Sequence, residues 1–206
     1  MTCFKKISSG KERELESFLS RYPETSMFLR SNLRHSGIEY KSDTPYQGEY
    51  FVHYNSIGEI QGVLAHYWNG NIMMQYPQLT ALKNLVHYFK SHCTRPICGI
   101  SGDERQAKIV IDLLELNPSS FALNAVDGLY QLFLSEMIVP NSSYQLKIAR
   151  YCAPNILKKW LTDYHIEALG ADLSDPCFIE SINDAMKKAD NRDDLWILEH
   201  NDIPLS

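Results

Sequence analysis

Apolar positions along this chain change period several times, and each change marks an element. Leu15, Phe18, Leu19 and Tyr22 recur at i, i+3, i+4 and i+7, the spacing of one helix face. Ser9 and Glu12 stand ahead of them at capping-box spacing. Pro23 breaks that helix and opens a second through Met27, Phe28 and Leu33, which Gly37 stops. Beyond a polar loop the period falls to two. Gly48–Tyr54 alternates as a strand, residues 55–58 turn, and residues 59–68 return as a long strand. Asn69-Gly70 predicts a two-residue hairpin, since that dipeptide accepts positive φ angles, and residues 72–75 continue the meander. Helical spacing resumes at Leu79, Leu82, Val86 and Phe89. The apolar run 96–100 reads as a short strand buried in a parallel pairing. Ser101 and Glu104 predict the cap of a helix carrying Val110, Leu113 and Leu114, and residues 128–134 read as a further strand.

The opening plan then recurs. The first copy runs strand (residues 2–7), helix, helix, and a strand ending near Tyr54. After a Pro140-Asn141-Ser142-Ser143 linker, residues 144–150 read as a strand. Leu157, Trp160, Leu161 and Tyr164 form a helix ended by Gly170, and Asp175-Pro176 starts another with Phe178, Ile182 and Met186 on one face. Residues 195–199 are the last full strand, and Asn201-Asp202-Ile203-Pro204 reads as a hairpin turn into the next. The expected fold is α/β, a mixed, mostly antiparallel sheet flanked by helices in residues 1–138, then a linker over 139–143 and a partial second module over 144–206.

Composition narrows the function classes. Hydrophobic residues at 44% and charged residues at 22% are those of a soluble globular chain. A net charge of -5 argues against a nucleic-acid platform. No apolar run approaches the roughly 18 residues that span a bilayer, so no membrane partner is expected. The N-terminal residues show no apolar signal region, which points to the cytoplasm. The five cysteines, Cys3, Cys93, Cys98, Cys152 and Cys177, contain no CxxC pair and read as reduced thiols. His87, His92, Cys93 and Cys98 cluster without a zinc-ligand spacing, and no metal is expected.

Three short motifs carry a resemblance. They are Ser26-Met27-Phe28-Leu29-Arg30-Ser31-Asn32-Leu33, Tyr46-Gln47-Gly48, and Tyr67-Trp68-Asn69-Gly70-Asn71. With the order of elements, they resemble the GNAT superfamily of acyl-CoA-dependent N-acetyltransferases, of a tandem type. The resemblance covers residues 15–134; from Tyr144 on it rests on element order alone. It implies a GNAT-like fold, acetyl-CoA as cofactor, and acetyl transfer to a small-molecule or peptide amine. It also implies that the cofactor pyrophosphate sits on a (Gln/Arg)-x-x-Gly-x-(Gly/Ala) loop at a helix N-terminus, where free N–H groups meet the anion. The matching place is Gln75-Tyr76-Pro77-Gln78-Leu79-Thr80-Ala81. Gln75 fits, Gln78 replaces the glycine, Thr80 replaces the small residue, and Pro77 has no N–H to donate. The loop at Gln75, Tyr76, Gln78 and Thr80 is therefore degenerate, and the second module's loop would lie beyond Ser206. The alternative is a non-catalytic scaffold, ligand-binding or dimerisation module, a homodimer pairing through an exposed edge at residues 195–199.

Other candidates have competing readings. His66 is a base or substrate contact, or a half-buried strand histidine. Trp68 is a substrate platform or a packing anchor for the hairpin. Tyr46 and Asn71 line a pocket at the meander mouth or serve turn geometry. Gly99-Ile100-Ser101-Gly102 cradles an anion or makes a tight turn before a capped helix. Glu199 and His200 tempt as an acid/base pair, but adjacent strand residues face opposite ways.

Overall fold

The computed structural model describes residues 3–42, 44–138, 143–168, 170–191, 193 and 195–205. Thr2 and the linker residues Pro140, Asn141 and Ser142 lie outside them. The chain is α/β and divides into two units, Met1–Gln131 and Leu132–Ser206.

The first unit begins β1 (Cys3–Ile7), α1 (Glu12–Leu19), α2 (Pro23–Ser36), β2 (Gly48–Tyr54), β3 (Ile60–Tyr67) and β4 (Asn71–Gln75). It continues with α3 (Leu79–His92), β5 (Gly99–Ser101) and α4 (Glu104–Leu113). The sheet runs in the order β1-β2-β3-β4-β5. Its neighbours are antiparallel except β4 and β5, which are parallel, with Asn71 opposite Gly99 and Met73 opposite Ser101.

Period-two alternation gives this sheet two apolar faces. Tyr50, Val52, Tyr54, Val63, Ala65 and Tyr67 face α1 and α2, meeting Leu15, Phe18, Leu19, Leu29 and Leu33. Phe51, Leu64, Ile72 and Met74 face the other way, meeting Leu82, Leu85, Val86 and Phe89 of α3 and Val110 of α4. In α2 the buried residues are Ser26, Leu29 and Leu33, while Met27 and Phe28 are exposed. Ser26 is buried because its hydroxyl closes the end of α1, donating to the carbonyls of Leu19 at 2.7 Å and Tyr22 at 2.6 Å.

Several local expectations are corrected. The residue before α1 is Lys11, not Ser9, and the Glu12 carboxylate takes the Gly10 N–H at 2.8 Å instead of completing a capping box. Asp103, not Ser101, caps α4 by accepting from the N–H groups of Arg105 and Gln106. Ser101 is held in the β4–β5 ladder, and Asp103 has its own Gln106 three residues on. The β3–β4 connection is a three-residue turn in which Gly70 alone takes a positive φ, 77°, the type I turn with a left-handed third residue. Residues 128–133 form no strand, and a 3-10 turn follows at Leu134–Glu136.

The second unit holds β6 (Gln145–Ile148), α5 (Pro154–Glu167), α6 (Phe178–Asn191), β7 (Trp196–His200) and β8 (Ile203–Pro204). Its sheet has the order β6-β7-β8, antiparallel throughout. Strand, two helices, and two further antiparallel strands thus follow the order seen at the start of the first unit. Asn201 and Asp202 both take positive φ, 51° and 61°, as the β7–β8 hairpin requires. β7 is the middle strand of this ladder: β8 pairs with Glu199 and His200, and the Leu205 N–H donates to the Leu198 carbonyl, so the expected edge is taken at residues 198–200.

Candidate functional site

In the first unit, strand geometry opens a cleft at the end of the sheet's parallel pair. β4 and β5 run parallel as far as Met73 and Ser101, after which α3 leaves from the end of one and α4 from the end of the other. Between these departures lies a cavity of about 200 Å³, lined among others by Thr25, Gln75, Tyr76, Pro77, Asp103 and Gln106. The sequence-predicted loop residues Gln75 and Tyr76 are here, both buried, with Leu79 of α3 beside them. Gln78 stands at the N-cap of α3 without a side-chain cap bond, and Thr80 is in the first turn.

The polar groups of this cleft are bonded to one another. The Thr25 hydroxyl donates to Gln75 Oε1 at 2.6 Å. The Tyr76 backbone N–H donates to Gln106 Oε1 at 2.7 Å, so a side chain from α4 fills the acceptor role at the end of β4. Tyr76 lays its ring over Gly62, where an added Cβ would come within 2.0 Å of the ring. The Tyr76 hydroxyl bonds His53 Nδ1, and burial pushes that phenol up to about 12. Asp103 brings a negative charge. Burial works to raise its carboxyl, but the Arg105 guanidinium and the amides of Gln106 and Arg105 outweigh that and hold it below the usual carboxylate range. The Gly99–Gly102 stretch is thus strand β5 and one further residue, and it leads into a helix start already occupied by a carboxylate.

The other predicted residues of the first unit fall in three places. Tyr46 sits at a positive φ of 66°, with its ring 5.1 Å from Trp68 and 5.2 Å from His35. Trp68 packs against the first core, and its backbone N–H donates to the Gln47 carbonyl at 2.8 Å, so the pair fixes the loop that leads into β2. Asn71 is elsewhere, donating to the Ser101 hydroxyl at 3.2 Å across the β4–β5 ladder.

His66 is fully buried on the opposite face, edge-on to Phe89. Its Nε2 lies 3.1 Å from the Pro96 carbonyl, which can only accept, so Nε2 carries the proton and Nδ1 is the acceptor. The Cys93 thiol, 3.1 Å away, donates to that Nδ1. Burial and then the Arg95 guanidinium lower the His66 pKa, and burial chiefly raises that of Cys93. Both shifts favour a neutral pair over a thiolate and imidazolium. Arg95 binds Glu49 Oε2 at 3.0 Å, the Tyr67 carbonyl at 2.8 Å and the His66 carbonyl at 2.6 Å, and stacks 4.0 Å from the Tyr40 ring. Lys6 takes the other Glu49 oxygen.

Glu49, His66 and Cys93 present ligand atoms within 4.8 Å of one another, the one such trio among the described residues. Both carboxylate oxygens are committed to cations, however, and the adjacent guanidinium opposes a metal ion electrostatically. We read the cluster as a brace joining β2, β3 and the chain after α3. Sequence reasoning missed it because its members are far apart in the chain; the clustered His87, His92, Cys93 and Cys98 drew attention instead. His92 instead stacks on Tyr88 and bonds its carbonyl at 2.7 Å.

In the second unit, Glu199 is buried and ion-paired to Lys147 at 3.3 Å, while His200 Nδ1 lies 3.0 Å from the Ser143 hydroxyl. They face opposite sides of β7 and do not act together. Among the described residues, no helix is long and apolar enough to cross a membrane. No family model, curated protein or solved structure matches the chain.

Proposed function

We propose that this chain is built on the GNAT plan of acyl-CoA-dependent N-acetyltransferases, and that its first unit keeps the plan without holding acetyl-CoA in the family's way. The observation that carries this reading is the cleft where β4 and β5 part, already closed by the Gln106–Tyr76 hydrogen bond. Its volume of about 200 Å³ is below the roughly 300–1,000 Å³ typical of small-molecule sites. The loop offers no glycine, Pro77 has no N–H, and the Asp103 carboxylate repels a pyrophosphate. Each charge-assisted hydrogen bond to a phosphate contributes about 1.5–3 kcal/mol, so losing two weakens binding by roughly a hundredfold or more. On this reading the first unit is a scaffold.

One observation favours a second reading, acetyl transfer to an amine. The α3 N-terminus has no side-chain cap, which leaves it suited to an anion. In that case backbone N–H groups would polarise the thioester carbonyl while a general base frees the attacking amine. Isothermal titration of acetyl-CoA into the full chain at neutral pH separates the two. The scaffold reading expects no heat of binding at micromolar cofactor. Micromolar affinity that is lost in Thr80→Pro, which removes an N–H of the α3 first turn, would overturn the scaffold reading, and release of free CoA thiol on adding an amine would then carry the second.

A further inference from the structure

Two surfaces of this chain are left incomplete, and they match. One is the outer edge of β5, which pairs with β4 on one side and with nothing on the other among the described residues. Around it Ile97, Ile100, Ile109 and Leu113 pack against the second core yet stay only partly buried. The other is residues 128–134, Gly-Leu-Tyr-Gln-Leu-Phe-Leu, which straddle the division at Gln131 and Leu132. This stretch has no charge and no proline, and its composition is that of a strand in search of an edge. It lies in no ladder, and it leaves Tyr130 92% and Leu134 80% exposed. Leu129, Leu132 and Phe133 are more than half exposed as well, so five large apolar side chains within six residues face water.

The geometry points to a symmetric homodimer in which residues 128–134 of one copy add as a strand to the outer edge of β5 in a second copy, and reciprocally. Area favours a second copy as the occupant. Leu129, Tyr130, Leu132, Phe133 and Leu134 each present on the order of 60–120 Å² of apolar surface. With the receiving edges counted, and both exchanges made, the total is on the order of 1,000–2,000 Å², the size of a stable interface. Charge is consistent as well: residues 96–101 carry none, so neither partner desolvates an ion. A two-fold axis makes each copy both donor and acceptor, which closes the assembly at two. The inference stands apart from the acyl-transfer reading.

Light scattering after size exclusion, with hydrogen exchange on the full chain, tests it. A dimer is expected at micromolar concentration, with slowed exchange at residues 129–133. Leu132→Lys with Phe133→Lys should weaken the dimer at least about tenfold and leave the far-ultraviolet spectrum unchanged, since both side chains are more than half exposed. Tyr130→Lys alone should act in the same direction. A monomeric wild type overturns the proposal: fast exchange at 129–133 would mean an unpaired segment, and slow exchange would mean pairing within its own chain. A dimer indifferent to these substitutions overturns it too.

Discussion

In the first unit the central strands β2 and β3 are apolar on both faces, and each face has its own pair of helices: α1 and α2 on one, α3 and α4 on the other. In the second unit, among the described residues, the matching strands β6 and β7 share a core with helices on one side only. Ile197 joins Leu157 and Ala189 in a small core, whereas Leu146, Ile148, Trp196 and Leu198, which pair across the ladder on the other face, join none. Leu146 is 67% and Trp196 53% exposed. The same run of elements therefore yields a doubly covered sheet where a βαβα continuation follows and a singly covered one where it is not present among the described residues. The lesson is that α3 and α4, reached through β4 and β5, supply the second layer that lets β2 and β3 bury apolar side chains on both faces.

The largest effect that could break this comparison comes from a matched pair of truncations. Phe51→Ala removes a fully buried ring from the α3 side of the sheet and is expected to cost about 3–5 kcal/mol in the first unit. Leu146→Ala, on the uncovered face of β6, is expected to cost about 0.5 kcal/mol or less. Denaturant melts read through hydrogen exchange resolve the units separately, and equal costs would show that both faces of β6 and β7 are in fact covered. A smaller effect sharpens the point. Gly62→Ala pushes a methyl into the buried Tyr76 ring, and overpacking of this kind costs about 1–3 kcal/mol. Restoration by Gly62→Ala with Tyr76→Leu would tie the cost to that one contact.

The smallest expected effect is in pH. His66 and His53 both have pKa values lowered by burial, so the unfolded chain binds protons near pH 6.5 that the folded chain refuses. The stability they contribute is complete above the unfolded value and is lost as pH falls from there toward the folded values. Thermal midpoints between pH 7.5 and 5 should therefore decline, and His66→Gln should flatten the decline. An unchanged slope would mean that His66 titrates freely.

Much of this was legible in the sequence where local chemistry and long-range packing agree. The β2–β3–β4 meander follows from alternation and turn residues, and Gly37 ends α2 with a positive φ of 72°. Helix starts were less legible because Ser9, Lys11, Ser101 and Asp103 compete for neighbouring roles, and strand pairing decides which is free to cap. Residues 128–134 have strand composition but no partner edge in their own ladder, and propensity alone makes no strand. Of the candidate site, Gln75 and Tyr76 were found through the loop pattern. Gln106 and Asp103 were not, since the pattern does not say what α4 brings across from β5. The Glu49, His66, Cys93 and Arg95 cluster was invisible for the same reason: only the fold brings its members together.

The parallel contact between β4 and β5 also sets an order of events. β2, β3 and β4 are joined by short turns and can zip together early, within the time that hairpins need. β5 reaches β4 only after α3 has crossed back over the sheet, and it is three residues long. Three residues long and paired on one side among the described residues, β5 is expected to open more readily than β2, β3 or β4. The cleft is therefore built from unequal halves, a firmly laddered β4 on one side and a thinly held β5 leading into α4 on the other.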